Sequence, residues 1–285
     1  MEKIAIITGA NSGLGFLTTK RLVRDNIRVI MAVRNIDKGN VAKEKILAKY
    51  NNASLDVLEI NLSSQDSIRK FVFEVKSLTD HIDILINNAG IMTKKIKFDE
   101  KGNELQFSTN FLGHFLLTNL LFSFFPDSKN SRIIFVSSIA HKLAKLNFND
   151  LTCNGNAFKA YSQSKLACLM ISSCLDLKLH HKNKNIRSVA VHPGASNTRL
   201  FRNVNFLLRL IFRPLLQSEF SACDSIVFAA LDDNALGGRY YGPKSLFETR
   251  GKIGVSSRSL YSSFSEISET LFDMSEYLTS EKFNI

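Results

Sequence analysis

The chain has 285 residues, 45% of them hydrophobic, so it is long enough to bury a substantial core in one large domain or at most two. Its formal net charge of +11 suits nucleic acid, an acidic membrane surface or a phosphorylated ligand. The Lys and Arg are spread along the chain without a long basic run, which argues against nucleic-acid binding. No Cys-x-x-Cys pair or metal-ligand spacing of His is present, so no metal site is expected.

Apolar, β-branched runs alternate along the chain with longer segments of helical period. The runs that predict strands lie at 3–8, 27–33, 54–60, 82–88, 131–138, 186–192 and 238–241, and the helical segments lie at 14–25, 36–50, 64–78, 104–125, 157–181 and 218–232. Strands this apolar, separated by helices, indicate a parallel sheet covered on both faces. The sequence therefore predicts an α/β, doubly wound, Rossmann-type sheet of about seven strands with helices on both faces, in a single domain over 1–285.

The first strand is followed directly by TGANSGLG (8–15), which opens the first helix. Glycines at this place permit a tight turn and let backbone N–H groups approach a pyrophosphate at the positive end of the helix. The residues expected to bind a dinucleotide here are Gly9, Asn11, Ser12, Gly13, Leu14 and Gly15.

The second strand ends in VIMAVRN, and its last residues are expected to meet the adenosine ribose. A carboxylate there binds the 2′-hydroxyl of NAD, whereas an Arg accommodates the 2′-phosphate of NADP. Val33 is apolar and Arg34 follows it, so NADP(H) is the predicted cofactor, with Lys38 as a helper. The alternative is a solvated Arg34 on an ordinary loop.

Signals for export or membrane insertion are not recognisable in the sequence. The N-terminus enters a strand at once, and the apolar run at 111–125 is shorter than the roughly 20 residues that a spanning helix needs. The sequence therefore predicts a cytoplasmic protein and leaves peripheral contact with a membrane open.

The stretch AYSQSKLACL (160–169) places Tyr161 and Lys165 on one face of a predicted helix. A cation beside a phenol favours the phenolate and lowers its pKa, which suits a group that gives and takes protons. Because a Tyr-x-x-x-Lys spacing arises easily by chance in a Lys-rich chain, the pair acquires meaning only from the motifs around it.

Six motifs together resemble the short-chain dehydrogenases/reductases, particularly the retinol-dehydrogenase-like branch. They are TGANSGLG (8–15), NNAG (87–90), NFLGHFLLTNLL (110–121), VSSIAH (136–141), YSQSK (161–165) and VHPGASNT (191–198), in the order that the family has them. The resemblance implies an oxidoreductase that moves hydride between a nicotinamide cofactor and a carbonyl or alcohol.

The resemblance also implies roles for single residues. Tyr161 would be the acid/base, and Lys165 would lower its pKa and hold the nicotinamide ribose. Ser138, the second of a serine pair, would hydrogen-bond the substrate oxygen. Asn110 would anchor a proton-relaying water, unless it is a capping or core Asn. For cofactor binding the resemblance adds Asn61 (Asp in many members, so its adenine contact would be weaker), Leu62, Asn88, Ala89, Gly90, Pro193, Gly194 and Thr198.

The segment 198–217 corresponds to the family's substrate lid and combines a broad apolar face with four Arg. It favours a small lipophilic substrate, retinoid-like or aliphatic, and is the part expected to lie on a membrane if one is contacted. By analogy with the family, the helices at 104–125 and 157–181 are expected to form a homodimer. Two alternatives stay open: a catalytically silent dinucleotide-binding sensor or scaffold, and an enzyme like light-dependent protochlorophyllide reductase.

Overall fold

The computed structural model describes residues 2–128, 130–194 and 218–285. Within them, eight strands form one sheet of order β3-β2-β1-β4-β5-β6-β7-β8. The strands are β1 (Ile4–Thr8), β2 (Arg28–Val33), β3 (Leu55–Glu59), β4 (Ile84–Asn87), β5 (Arg132–Val136), β6 (Arg187–Val191), β7 (Tyr240–Ser245) and β8 (Arg250–Val255). The predicted doubly wound α/β fold is confirmed.

Strands β1 to β7 are all parallel, and β8 pairs antiparallel with β7 at the edge. β1 lies between β2 and β4, so the chain runs outward from β1 in one direction and then returns to build the other half. Such a reversal of strand order opens a crevice at the carboxyl ends of the central strands, where ligands bind in open α/β sheets.

Helices cover both faces of the sheet. They are α1 (Gly13–Arg24), α2 (Ile36–Leu47), α3 (Gln65–Leu78), α4 (Leu105–Phe107), α5 (Gly113–Leu121), α6 (Ala157–His181), α7 (Glu219–Ala222), α8 (Asp224–Leu231) and α9 (Ser265–Thr279). α1, α2 and α8 pack on one face, and α3, α5, α6 and α9 on the other. In β1, Ile4 and Ile6 belong to one core and Ala5 and Ile7 to the other, as the two-residue period of a strand requires.

The structure adds two elements that the sequence did not predict and divides a third. β8 is mostly exposed and contains two Gly and two cations, so it lacks the apolar pattern of a strand, and the expected count of about seven was one short. α9 lies beyond the recognised motifs. The predicted helix 104–125 is interrupted by a π-helical turn, Ser108–Leu112, between α4 and α5.

The helix faces expected to form a dimer are covered by the same chain. Phe272 of α9 packs against Phe115 of α5, with ring centroids 5.3 Å apart. Phe283, near the C-terminus, lies 5.7 Å from the Phe115 ring and 5.4 Å from that of Phe122. The homodimer stays a prediction, and these faces give it no support.

Among the described helices, none combines the length and the apolar character that a helix needs to cross a bilayer.

Candidate active site

A cleft of about 630 Å³ opens beside the carboxyl ends of β1, β2, β4 and β5. Every residue that was predicted to bind the cofactor and that the structure describes lines it. Thr198 and the predicted lid 198–217 lie outside the described residues. The tertiary structure thus brings together segments that are separated by up to about 180 positions in the sequence.

The glycine loop is shaped for close approach of a ligand to the backbone. Gly9 and Gly13 have φ angles of +68° and +53°, which L side chains rarely adopt. A Cβ on Gly15 would lie 2.4 Å from the Gly9 carbonyl oxygen, so only glycine lets α1 start this close to the loop. Ser12, the N-cap of α1, makes no side-chain capping bond, and the first turn holds no acidic residue. The open N–H groups and the helix dipole fit the pyrophosphate of a dinucleotide.

The NNAG turn is held by the Thr8 hydroxyl. This oxygen accepts hydrogen bonds from the backbone N–H groups of Asn88 and Ala89, each 2.9 Å long. It also lies 2.9 Å from Nε2 of His114, a buried histidine. The other ring nitrogen, Nδ1, lies 2.9 Å from the carbonyl of Asn110 and must donate to it, since a carbonyl only accepts. Nε2 of the neutral ring is then the acceptor, and Thr8 donates to it.

Tyr161 and Ser138 meet inside the cleft. Both residues line the cleft wall. Burial raises the pKa of the Tyr161 hydroxyl to about 12, while the Ser138 side chain acts in the lowering direction. The predicted lowering of this pKa by Lys165 is not found: loss of hydration is the largest effect, and the net direction is upward.

Lys165 is fully buried one helical turn beyond Tyr161. Its Nζ donates to the carbonyl of Val136 at 2.9 Å, and burial lowers the pKa of its ammonium group. On the backbone side, Ser137 Oγ donates to the Lys165 carbonyl at 2.7 Å. The two serines of VSSIAH therefore differ in role. Ser137 links the end of β5 to α6 by a hydrogen bond, and the Ser138 side chain acts on the Tyr161 hydroxyl.

Asn110 sits behind the cleft rather than in its wall. Its Oδ1 accepts from the Ile91 N–H at 2.7 Å, and its Nδ2 donates to the Ile91 carbonyl and to Ser164 Oγ, each at 3.0 Å. Its carbonyl accepts from His114 and from the Cys168 thiol. The side chain thus joins the segment after NNAG to α6.

Sequence reasoning missed several residues that shape the site. Thr8 and His114 lie within quoted motifs, but only their packing shows that they are bonded to each other. His192 Nδ1 accepts the N–H of Gly194 at 3.2 Å and so fixes the start of the loop after β6. At the substrate end of the cleft, the side chains of Leu143 and Phe158 are 68% and 50% exposed.

A family model described as short chain dehydrogenase matches residues 3–206. The chain belongs to the short chain dehydrogenase family. Members of this family are oxidoreductases that use a nicotinamide dinucleotide and a small-molecule substrate.

The chain is also similar to several individual proteins. Retinol dehydrogenase 12 from Bos taurus is 36% identical over 246 residues, which cover 84% of this chain and 77% of that protein. Polyprenol dehydrogenase from Homo sapiens is 34% identical over 251 residues, covering 84% and 76%. Short-chain dehydrogenase TIC 32 B, chloroplastic, from Brassica napus is 41% identical over 209 residues, covering 70% of this chain, which spans only 65% of that relative's length.

Among solved structures, an uncharacterized protein from Mycobacterium Paratuberculosis is 34% identical to this chain. The match has a TM-score of 0.82 and covers 99% of this chain and 95% of that one. A Serratia marcescens short-chain dehydrogenase/reductase mutant is 17% identical, with a TM-score of 0.67 over 84% and 94%. The second likeness shows the fold alone.

The buried His114 should make stability depend on pH. Burial lowers the pKa of its imidazole from the usual 6.5 to about 3, so below pH 6.5 the unfolded chain binds a proton that the folded chain does not bind. Stability from this group is full above pH 6.5 and is lost as the pH falls toward 3. Between pH 7 and pH 5, the loss should be about 2 kcal/mol smaller in His114→Gln than in the wild type.

Urea unfolding at both pH values measures this difference. His180→Gln, which removes an exposed histidine of α6, is the control and should keep the wild-type pH dependence. An equally steep loss in His114→Gln would mean that His114 is not held neutral.

Proposed function

We propose that this protein is an NADP(H)-dependent oxidoreductase that interconverts a carbonyl and an alcohol on a lipophilic substrate, with Tyr161 as the acid/base. The observation that carries the proposal is that Tyr161 and Ser138 both line the wall of the cleft, where the Ser138 side chain acts on the pKa of the tyrosine hydroxyl. Lys165, one helical turn away, supplies a cation. A silent dinucleotide sensor would have no chemical use for a tyrosine placed in this way.

In the proposed reaction the nicotinamide, when bound, supplies or accepts the hydride. Ser138 donates a hydrogen bond to the substrate oxygen and stabilises the charge that grows there. Because the Tyr161 hydroxyl has a pKa of about 12, it is protonated at neutral pH and serves as the proton donor when a carbonyl is reduced. The Lys165 ammonium then stabilises the tyrosinate. In alcohol oxidation the same groups act in reverse.

The preference for NADP(H) is supported by the charge at the cleft mouth. Arg34 is exposed, lines the cleft, and has no salt-bridge partner among the described residues. Lys38 also lines the cleft, one turn into α2. A guanidinium that no carboxylate neutralises is suited to a phosphate dianion, because charge-assisted bonds are the stronger ones.

The lipophilic substrate is supported by the wall near Tyr161. Leu143 and Phe158, both substantially exposed, line the cleft together with Ile91, Met92 and Ile139. Large apolar side chains left in water favour a ligand that covers them. The names of two relatives, retinol dehydrogenase and polyprenol dehydrogenase, point to substrates of the same character.

Tyr161→Phe should lower kcat by a factor of about 10² to 10⁴, because the ring remains and only the proton-transfer group is lost. NADPH affinity, measured by fluorescence titration, should stay within about threefold, since the variant keeps the shape of the cleft. Tyr50→Phe, remote from the cleft, is the control. A wild-type protein that binds NADPH but turns over no aldehyde, ketone or alcohol in a broad panel would instead support the sensor.

Arg34→Ala should weaken NADPH binding by about tenfold or more while leaving NADH affinity unchanged, because only NADPH carries the 2′-phosphate. Titration of both cofactors into the wild type, Arg34→Ala and the control Lys49→Ala gives the comparison. The assignment of Arg34 fails if both cofactors weaken alike, or if the wild type binds them equally.

Along a series of aliphatic aldehydes, kcat/KM should rise with chain length by up to about fourfold per methylene, the equivalent of ~0.8 kcal/mol of buried apolar surface. Phe158→Ala removes part of the apolar wall and should flatten the rise, whereas Phe73→Ala, an exposed phenylalanine of α3, should not. Equal kcat/KM values across the series would contradict a lipophilic substrate.

A further inference from the structure

Three of the most exposed apolar side chains among the described residues lie on segments that meet at Lys142. They are Phe247, Leu260 and Leu143, which are 91%, 87% and 68% exposed. Lys142 Nζ donates to Glu248 at 2.9 Å and to Ser257 Oγ at 2.7 Å. These bonds join the turn after Ser138 to the β7–β8 hairpin and the segment that follows it. We call residues 142–146 and 244–260 the hairpin surface.

The tip of the hairpin holds Phe247 in water at a conformational cost. Leu246, Phe247 and Glu248 have φ angles of +47°, +57° and +62°, in the left-handed region that side chains of this size avoid. The Glu248 carboxylate, itself buried, clamps the turn by accepting from Lys142 and from the Ser257 N–H. Three consecutive left-handed residues with an exposed aromatic ring at the central position mark a candidate functional feature.

The charge of the hairpin surface is strongly one-sided. It contains six basic side chains and one acidic side chain, that of Glu248, which Lys142 already engages. The basic residues are Lys142, Lys145, Lys244, Arg250, Lys252 and Arg258. Lys244 also pairs with Glu248, at 3.7 Å, so one carboxylate faces six cations. Apolar side chains surrounded by such an excess of positive charge favour an anionic partner.

We propose that the hairpin surface docks on an anionic lipid bilayer, with Phe247 and Leu260 entering the boundary between headgroups and acyl chains and the cations contacting the headgroups. A second copy of this surface would be repelled by its like charge. A protruding tip with a few apolar side chains also suits a fluid interface better than a protein partner, which needs roughly 1,000 Å² of complementary surface.

The hairpin surface lies beside the mouth of the cleft. β7 runs parallel to β6, so its carboxyl end reaches the edge of the sheet where the cleft opens. Leu143 belongs both to the hairpin surface and to the cleft wall. Docking here would place the cleft at the bilayer, where a lipophilic substrate is dissolved; this consequence rests on the proposed function, whereas the docking itself does not.

Sedimentation with vesicles tests the docking without any enzymatic assay. The protein should bind vesicles of phosphatidylcholine with 30% phosphatidylserine (about one lipid in three, an anionic surface) and not vesicles of phosphatidylcholine alone. Phe247→Ser should bind about tenfold more weakly, and the matched Phe73→Ser should bind as the wild type does. Lys244→Gln combined with Lys252→Gln should weaken binding and its salt dependence. The pair Lys45→Gln, on α2, and Lys49→Gln, just after α2, should leave both at wild-type values or nearly so.

Phe247→Gly separates the loss of docking from a loss of folding. Glycine accepts the left-handed conformation, so this variant should melt at a temperature equal to the wild type or about 2–4 °C higher, yet bind vesicles as weakly as Phe247→Ser. The proposal is overturned if Phe247→Ser and Phe73→Ser bind alike, or if the wild type ignores anionic vesicles. It is also overturned if size-exclusion chromatography shows a dimer that Phe247→Ser dissociates, because the occupant would then be a second copy.

Discussion

The whole site depends on one buried hydroxyl group, that of Thr8 at the end of β1. It accepts two backbone N–H groups from the turn after β4 and donates to His114, whose opposite nitrogen bonds the carbonyl of Asn110. Three segments, which carry the glycine loop, the NNAG turn and the π-helical turn, thereby share one set of hydrogen bonds. Thr8, His114 and Asn110 are buried, so breaking a bond among them would leave a polar group without water or a partner.

Burial also sets the protonation of the groups proposed to react. Loss of hydration raises the pKa of Tyr161 and lowers that of Lys165, so each is drawn toward its neutral form. The Ser138 hydroxyl opposes this effect at the tyrosine, and the Val136 carbonyl holds the ammonium group in place. A proton donor of high pKa, next to a positioned cation, is suited to giving up its proton only when negative charge develops on a nearby oxygen.

The C-terminal part of the chain completes the molecule in two different ways. On one face, α9 and Phe283 cover α5 and α6, so apolar helices that look like an interface in the sequence are core in the structure. At the edge of the sheet, β8 extends the sheet and carries a hairpin whose tip is clamped by Glu248. The first arrangement closes an apolar surface, and the second leaves one open beside the cleft.

Much of the fold was predictable from local pattern. β1 to β6 coincide with largely apolar runs, β7 begins with Tyr240 and Tyr241, and the glycines that open α1 stand directly after a strand, so pattern and position were sufficient to predict these elements. β8 was missed because an exposed edge strand with two Gly and two basic residues lacks the apolar pattern that predicts a strand. Its pairing with β7 exists only once the rest of the sheet has formed.

The sequence by itself also indicated that the residues following the central strands would lie together, since parallel strands present their carboxyl ends at one edge. Only the tertiary structure decided how those residues behave. The sequence spacing of Tyr161 and Lys165 suggested a lowered tyrosine pKa, whereas the structure raises it. Burial and hydrogen bonds to distant residues decide a pKa, a tautomer or the role of Asn110, and these quantities arise from packing in three dimensions that no local spacing contains.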